Sequence, residues 1–283
     1  MLSLRKRVTS IYSYFNAYLN SQICFPLSYF RHSIIKVFML IAQISDIHAF
    51  SDNDHLCRFD RLLTWLANLQ PAVLVLTGDL TDGHWREGYK QIAARLDQQS
   101  YPSFVLPGNS DDRDLMRAEW GSKKWAHDSP DEALHFSYDA GDLRLIGLDS
   151  TVDAQAHGSV CEHVGWLEKQ FNDADAAPAL LFMHHHVVKS GIPTLDETIC
   201  RGGDKLEKFI KDNPQRVLAV CSGHVHRPIA GTFAGIPAYI CGSVCPANPV
   251  WFGTPNIPPV SDPPALMIHR FASNILTSHH VCV

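Results

Sequence analysis

The sequence predicts an α/β fold with additional antiparallel strands near its C-terminal end. From Met39 onward, short apolar runs alternate with segments in which apolar residues recur at helical spacing. Towards the C-terminus, tight turns separate short apolar runs, which is typical of antiparallel strand pairs. The chain has 283 residues, 46% of them hydrophobic, and this length is enough for one sizeable core.

The apolar pattern places the elements in order along the chain. Strands are predicted over residues 39–44, 73–76, 103–106, 143–148, 179–183 and 216–221. Helices are predicted over residues 56–69, 85–96 and 162–171 and from Asp204 onward, the first of them stopped by Pro71. The final strands are predicted over residues 229–233, 236–240, 265–271 and 275–283, with a Pro-rich surface loop over 246–264.

Composition narrows the classes of protein to which the chain can belong. A formal net charge of -5 argues against a protein that holds nucleic acid mainly by a basic surface, so we expect no stable nucleic-acid partner. The eight cysteines show no C-x-x-C spacing, and a chain of this length does not need a disulfide scaffold. We therefore expect reduced thiols and a cytoplasmic protein.

Residues 1–38 differ in character from the rest of the chain. Arg5, Lys6 and Arg7 precede an uncharged stretch that many Ser and Asn residues interrupt, so it is a poor membrane span and a poor secretory signal. We interpret these residues as an N-terminal extension, either a leader or a misassigned start, with the main domain over residues 39–283. A membrane-surface segment and a structured part of the fold are the alternatives.

Polar residues suited to metal binding follow five of the predicted strands. The motifs are Asp46-x-His48, Gly78-Asp79, Gly108-Asn109, His184-His185-His186 and Gly223-His224-x-His226. Each has an ordinary interpretation when taken alone, such as a turn, a helix cap or a surface histidine. Because ligands bind beyond the carboxyl ends of strands in open α/β sheets, the five motifs together indicate one site.

The residue types in these motifs suit divalent metal ions. Residues two apart on an extended segment point the same way, so Asp46 with His48 can chelate one ion. His224 and His226 have the same spacing and few structural uses. Asn109 adds a neutral oxygen to a site that already holds carboxylates. This mixture of imidazole and oxygen ligands fits Mn, Fe, Zn or Co without selecting one of them.

Taken in order, the five motifs resemble those of the calcineurin-like metallophosphoesterase superfamily. Within that superfamily they resemble the class III cyclic-nucleotide and glycerophosphodiester phosphodiesterases. The resemblance runs from Ile44 to about Ala247 and includes the flanking segments 77–82 and 107–109. It implies a four-layer α-β-β-α sandwich of two mixed sheets. It also implies hydrolysis of a small phosphodiester, a 3',5'-cyclic nucleotide or a glycerophosphodiester, by a hydroxide that bridges two metal ions.

The resemblance further implies a role for each motif residue. One metal would be held by Asp46, His48, Asp79 and His226, and the other by Asp79, Asn109, His184 and His224, with the Asp79 carboxylate shared. His185 and His186 would remain for contacts with substrate or support of the ligands, and residues 187–203 would cover the substrate. Asp79, Asn109 and His185 are the predicted catalytic residues. Relatives often form homodimers, which makes a homodimer possible here.

Two positions depart from the family pattern. Ser110 stands where the family usually has a histidine near the leaving group, and losing a general acid typically costs about 10²–10⁴-fold in rate. Either the leaving group is a good one, or His185 or His186 takes over the role. Val187 stands where a proline often follows the histidine pair, which puts the shape of the loop over residues 187–203 in question.

Two other functions compete with the phosphodiesterase hypothesis. The same pair of metals could act on a phosphomonoester, a phosphonate ester or a nucleic-acid end, because fold and metal site do not fix the substrate. Alternatively, the chain could be a metal-binding interaction protein with little or no catalysis. Ser110 is the only sequence feature that favours this second alternative.

Overall fold

Two β-sheets and the helices that flank them make up the fold of the computed structural model, which describes residues 38–121, 124–129, 132–172 and 177–283. Its strands are β1 (Met39–Ile44), β2 (Val73–Thr77), β3 (Ser103–Leu106), β4 (Phe136–Asp139), β5 (Arg144–Leu148), β6 (Ala179–Met183), β7 (Val217–Ser222), β8 (Ile229–Phe233), β9 (Ile236–Ile240), β10 (Ala265–Ala272) and β11 (Ile275–Cys282). Its helices are α1 (His55–Leu69), α2 (Arg86–Asp97), α3 (Arg113–Trp120), α4 (Val164–Lys169), α5 (Pro193–Asp196) and α6 (Gly203–Asp212).

Both sheets are mixed. The first has the strand order β11-β10-β1-β2-β3, in which β1, β2 and β3 are parallel and the two C-terminal strands antiparallel. The second has the order β4-β5-β6-β7-β9-β8, with a parallel centre and an antiparallel strand at each edge. The parallel strands of each sheet therefore bring their carboxyl ends to one edge.

Successive side chains along a strand point to opposite faces of its sheet, one face towards the other sheet and one towards the helices. In β2, Val73 and Val75 belong to a core cluster that contains residues of both sheets, whereas Leu74 and Leu76 pack with α1 and α2. In β6, Leu180 and Phe182 lie in the same inter-sheet cluster, and the alternate side chains pack with α4 and α6. This arrangement of helices, two sheets and helices confirms the predicted four-layer α-β-β-α sandwich.

The predicted elements occur in the structure with few exceptions. The helix predicted over residues 162–171 is shorter, because the residues at its ends form tighter turns: His163 N–H donates to the Val160 carbonyl and Phe171 N–H to the Glu168 carbonyl. Helices α3 and α5 and strand β4 were not predicted. Helix α3 is short and has one buried residue, Met116, so its apolar pattern is weak, but Asp112 caps its first turn through the Asp114 and Leu115 N–H groups.

The predicted N-terminal extension, residues 1–38, lies outside the described residues except for Phe38, so its interpretation and the domain boundary stay predictions. Among the helices of the described part, none combines the length and the apolar character needed to cross a bilayer.

Candidate metal centre

The five polar motifs of the sequence meet where the two sheets end. Asp46, Asp79 and Asn109 follow strands β1, β2 and β3 of the first sheet, and His184 and His224 follow β6 and β7 of the second. Backbone bonds hold these ends together: Asp46 N–H donates to the Gly78 carbonyl at 3.0 Å. Across the sheets, His224 N–H donates to the Asp46 carboxylate at 3.1 Å. The motif residues thus form one centre.

One group of donor atoms comes from Asp46, His48, Asp79 and His226, each of which offers one atom within 4.8 Å of the others. His48 Nε2 lies 3.2 Å from Asp79 Oδ2 and 3.1 Å from His226 Nε2. His226 Nε2 lies 3.3 Å from Asp46 Oδ1. These are the residues that the family resemblance assigns to one metal.

A second group surrounds His184 Nε2. This nitrogen lies 3.2 Å from Asn109 Oδ1, 3.1 Å from His224 Nδ1 and 3.3 Å from Asp79 Oδ2. The same carboxylate oxygen, Asp79 Oδ2, is therefore 3.2 Å from His48 Nε2 and 3.3 Å from His184 Nε2. The Asp79 carboxylate lies between the two groups, in a position to be shared.

Each of the four histidines in the two donor groups has one ring nitrogen that faces the centre and a second that contacts a group outside it. These contacts are His48 Nδ1 with Asp82 Oδ1 at 2.7 Å, His184 Nδ1 with the Thr77 carbonyl at 2.8 Å, His224 Nε2 with Thr198 Oγ1 at 2.6 Å, and His226 Nδ1 with Cys245 Sγ at 3.3 Å. Carboxylate and carbonyl oxygens accept hydrogen bonds, so they hold the N–H on the outer side of the ring. The inner nitrogens of His48 and His184 then carry lone pairs.

This arrangement fits metal ions. Inner nitrogens 3.1 Å apart repel each other unless a positive charge lies between them. Without an ion a proton takes this place. Burial alone would lower the pKa of His184, but the Asp79 carboxylate outweighs it and raises the pKa to about 9. Burial likewise favours protonation of Asp79, yet His184 and His48 hold the pKa of its carboxyl well below the usual range. The centre is thus built around positive charge.

The backbone at the centre is strained. Five residues of the centre have positive φ, between 49° and 70°, a region that residues other than glycine rarely enter. They are Asp46, His48, Asp79, His224 and His226. Such strain concentrates at functional sites, where the rest of the fold holds it in place. Here each strained residue offers a donor atom to the centre.

Close packing explains why glycines precede several of these residues. A Cβ on Gly108 would lie 2.3 Å from Asp79 Oδ1, and one on Gly223 would lie 1.8 Å from Ser45 Oγ. Gly78 adopts a φ of +89°, a conformation that glycine enters readily because it has no Cβ. The glycines allow the motif loops to approach one another.

The two further histidines after β6 are buried. His185 Nδ1 lies 2.9 Å from Ser150 Oγ, while no hydrogen-bond partner for its Nε2 occurs in the described part of the chain. Burial, together with His184 and His224, holds the pKa of His185 well below its usual value, which favours the neutral ring. One nitrogen each of His184, His185 and His224 lies within 4.8 Å of the others. His185 is therefore placed as a possible donor beside the second group, and its predicted catalytic role stays a prediction.

Ser110 is placed to support Asp79 rather than to release a proton. Its N–H donates to Asp79 Oδ1 at 2.8 Å, and its hydroxyl donates to the Thr81 carbonyl at 2.9 Å. Beside it, a largely polar cavity of about 650 Å³ is lined by residues that include His84, Asn109 and Arg113. This cavity gives space for a ligand next to the second donor group.

Sequence reasoning missed several residues that support the centre. The Asp111 carboxylate accepts hydrogen bonds from the Leu80, Thr81 and Gly108 N–H groups and from the Tyr89 hydroxyl. It thereby ties the loop after β2 to the loop after β3. Asp82 belongs to the motif segment 77–82 and Asp111 follows the segment 107–109 by two residues, so their carboxylates were a usable signal. Thr198 and Cys245 lie outside those motifs, and nothing local in the sequence marks them.

Comparison with known proteins adds sequence relatives. A profile of the calcineurin-like phosphoesterase family matches residues 39–228. The chain is 33% identical over 203 residues to a probable glycerophosphodiester phosphodiesterase, GpdQ, of Arcobacter nitrofigilis, covering 67% of this chain and 72% of that protein. It is 28% identical over 204 residues to the 3',5'-cyclic adenosine monophosphate phosphodiesterase CpdA of Escherichia coli, covering 67% and 70%.

Solved structures share the fold at low sequence identity. A dimetal phosphatase from Danio rerio superposes with a TM-score of 0.63 at 12% identity, covering 86% of this chain and 98% of that one. A purple acid phosphatase from yellow lupin gives a TM-score of 0.59 at 13% identity, covering 86% and 51%. At such identities the likeness concerns the fold alone.

Proposed function

Because the chain belongs to the calcineurin-like phosphoesterase family, we propose that it hydrolyses a small phosphodiester, either a 3',5'-cyclic nucleotide or a glycerophosphodiester, at a centre of two metal ions. The predicted family resemblance is confirmed, and the chain is a metal-dependent phosphodiesterase. The two substrates are those in the names of the relatives from Arcobacter nitrofigilis and Escherichia coli. The observation that carries the proposal is the position of Asp79 Oδ2 between two donor groups.

We assign the ligands in two sets that meet at this carboxylate. The first ion would take Asp46, His48, Asp79 and His226, and the second would take Asp79, Asn109, His184 and His224. The metals would be Mn, Fe, Zn or Co, since imidazole and oxygen donors suit each of these ions. When bound, two such ions supply a nucleophile from water near neutral pH and offset the negative charge of the phosphoryl oxygens.

The protein's own residues would position the reacting groups. Ser110 N–H holds Asp79 Oδ1 and so orients the carboxylate that would serve both ligand sets. Asn109 is exposed and borders the polar cavity, so the substrate would enter on this side. We propose that His185, neutral and buried behind His224, supports the second ion instead of donating a proton.

Because position 110 is a serine, no histidine there can protonate the leaving group. The Ser110 hydroxyl is already committed to the Thr81 carbonyl and cannot supply a proton with comparable ease. We therefore expect diesters with good leaving groups to react fastest. A homodimer and a cytoplasmic location remain proposals that the family resemblance and the pattern of cysteines motivate.

The proposal is tested with the full chain loaded with Mn. Hydrolysis of bis(p-nitrophenyl) phosphate is measured beside hydrolysis of p-nitrophenyl phosphate, and then with cyclic nucleotides and glycerophosphodiesters. Asp79→Ala and His224→Ala should abolish turnover, while His279→Ala, an exposed residue of β11, serves as the matched histidine control. Faster hydrolysis of the monoester would favour a phosphomonoesterase. Absence of turnover with every metal, despite two bound ions, would favour a binding protein.

A further inference from the structure

Thr198 makes two hydrogen bonds that fix the state of a proposed metal ligand. Its hydroxyl donates to the Leu195 carbonyl at 2.9 Å and lies 2.6 Å from His224 Nε2. A hydroxyl carries a single hydrogen, so with that hydrogen given to Leu195 the Thr198 oxygen must accept from His224 Nε2–H. His224 Nδ1 is then the nitrogen with a lone pair, and it faces His184 Nε2 at 3.1 Å.

The position of Thr198 in the fold distinguishes it from the partners of His48 and His184. Those partners, Asp82 and the Thr77 carbonyl, belong to strand β2 and the turn that follows it. Thr198 lies instead in the segment of residues 187–203, which connects β6 to α6. The outer ring nitrogen of His224 therefore contacts a loop, whereas those of His48 and His184 contact β2 and the turn after it.

This loop is braced internally. The Asp196 carboxylate accepts from the Ser190 N–H and hydroxyl and from the Gly191 N–H. At its far end, Cys200 N–H donates to the His186 carbonyl at 2.9 Å. The buried His186 ring stacks on His224 with an interplanar angle of 20° and a centroid separation of 5.6 Å. The His186 ring thus covers one face of His224, and the loop contacts His224 through the hydrogen bond of Thr198.

From these contacts we infer that Thr198 is a positioning residue for the second metal ion, and that through it the ion and the loop of residues 187–203 stabilise each other. The inference rests on the ligand set proposed above, in which His224 Nδ1 binds the second ion. An ion bound at Nδ1 needs the ring orientation and protonation that Thr198 selects. By reciprocity, an ion bound there must favour the loop conformation that presents Thr198 to His224.

The test compares three substitutions in the full chain. Thr198→Val keeps the size of the side chain and removes the acceptor, and Thr198→Ser restores it. Thr194→Val makes the same chemical change at an exposed position of α5. Calorimetric titration of the metal-free protein with Mn should show two binding events in the wild type. Thr198→Val should weaken the second event by about 10–100-fold and leave the first within about threefold, while the other two variants should match the wild type.

Hydrogen exchange provides a readout that does not depend on activity. Exchange in residues 187–203 should slow when the second ion binds the wild-type chain and Thr198→Ser, but not in Thr198→Val. Unchanged metal binding and unchanged protection in Thr198→Val would overturn the inference while leaving the proposed function intact. A wild-type chain that binds fewer than two ions would overturn both. Equal thermal stability of the metal-free variants shows that the effect is not a loss of folding.

Discussion

A single methyl group at Gly108 should disable the centre. A Cβ at this position would lie 2.3 Å from Asp79 Oδ1, 2.4 Å from Asp79 N and 2.8 Å from His184 Cε1, whereas ordinary contact begins at 3.4 Å. Relief of the worst contact requires a shift of about 1 Å, since 3.4 minus 2.3 is 1.1. Gly108 is not among the residues of positive φ, so the obstacle is space and not backbone conformation.

The shift falls on the carboxylate that both ions are proposed to share. A misplacement of about 1 Å typically costs on the order of 10²-fold in rate, which corresponds to about 2.7 kcal/mol of transition-state stabilisation. Overpacking of this kind also costs about 1–3 kcal/mol in the free energy of unfolding. We therefore expect Gly108→Ala to lower kcat/KM for bis(p-nitrophenyl) phosphate by roughly 100-fold or more and to weaken Mn binding.

The matched control is Gly165→Ala in α4. A Cβ at this position has no neighbouring atom within 4 Å, and alanine is the better helix former by about 1 kcal/mol. This variant should keep full activity and an equal or higher melting temperature. If Gly108→Ala retains the wild-type kcat/KM and Mn affinity, the predicted displacement of the Asp79 carboxylate does not occur or has no effect on the centre.

Three further predictions follow from contacts around the centre. Asp82→Asn should weaken binding of the first ion by about 10–100-fold, because the Asp82 carboxylate lies 2.7 Å from His48 Nδ1 and orients that ligand. A calorimetric titration of Asp82→Asn that matches the wild type would contradict this prediction. Ser110→His should speed hydrolysis of diesters with alkyl leaving groups by about tenfold or more, with little change for p-nitrophenyl esters; an equal change for both would show that no proton is being supplied. Apparent metal affinity should rise from pH 7 to pH 9. The neighbouring Asp79 carboxylate raises the pKa of His184 to about 9, so below that pH the ion must displace a proton; calorimetry that shows constant affinity over this range would contradict the prediction.

The sequence predicted most of the fold because the strands carry strong local signals. The largely apolar runs of β1, β3 and β6, in which Gln43 and Ser103 are the polar residues, have the bounds that the pattern indicates. Helix α3 escaped prediction because it buries one residue only, so tertiary contacts and the Asp112 cap decide its formation. Strand β4 is only four residues long, and it forms because it pairs with β5, which no local pattern indicates.

The candidate site was predictable where its residues directly follow strands. Asp46, Asp79 and Asn109 could be found because the topology of a parallel sheet brings such positions to one edge. The groups that orient them could not all be found in this way. Thr198 precedes His224 by 26 residues and Cys245 follows His226 by 19, and only the folded chain brings these pairs together. The positive φ values of the ligand residues could not be found either, because Asp and His tolerate this conformation but the surrounding fold decides where they adopt it.

Sharing of the Asp79 carboxylate by two metal ions can be examined by electron paramagnetic resonance of the full chain loaded with two equivalents of Mn(II). We expect a spin-coupled pair signal in the wild type, which is lost in Asp79→Ala and kept in His279→Ala. Two isolated Mn(II) signals in the wild type, or a coupled signal that persists in Asp79→Ala, would contradict it.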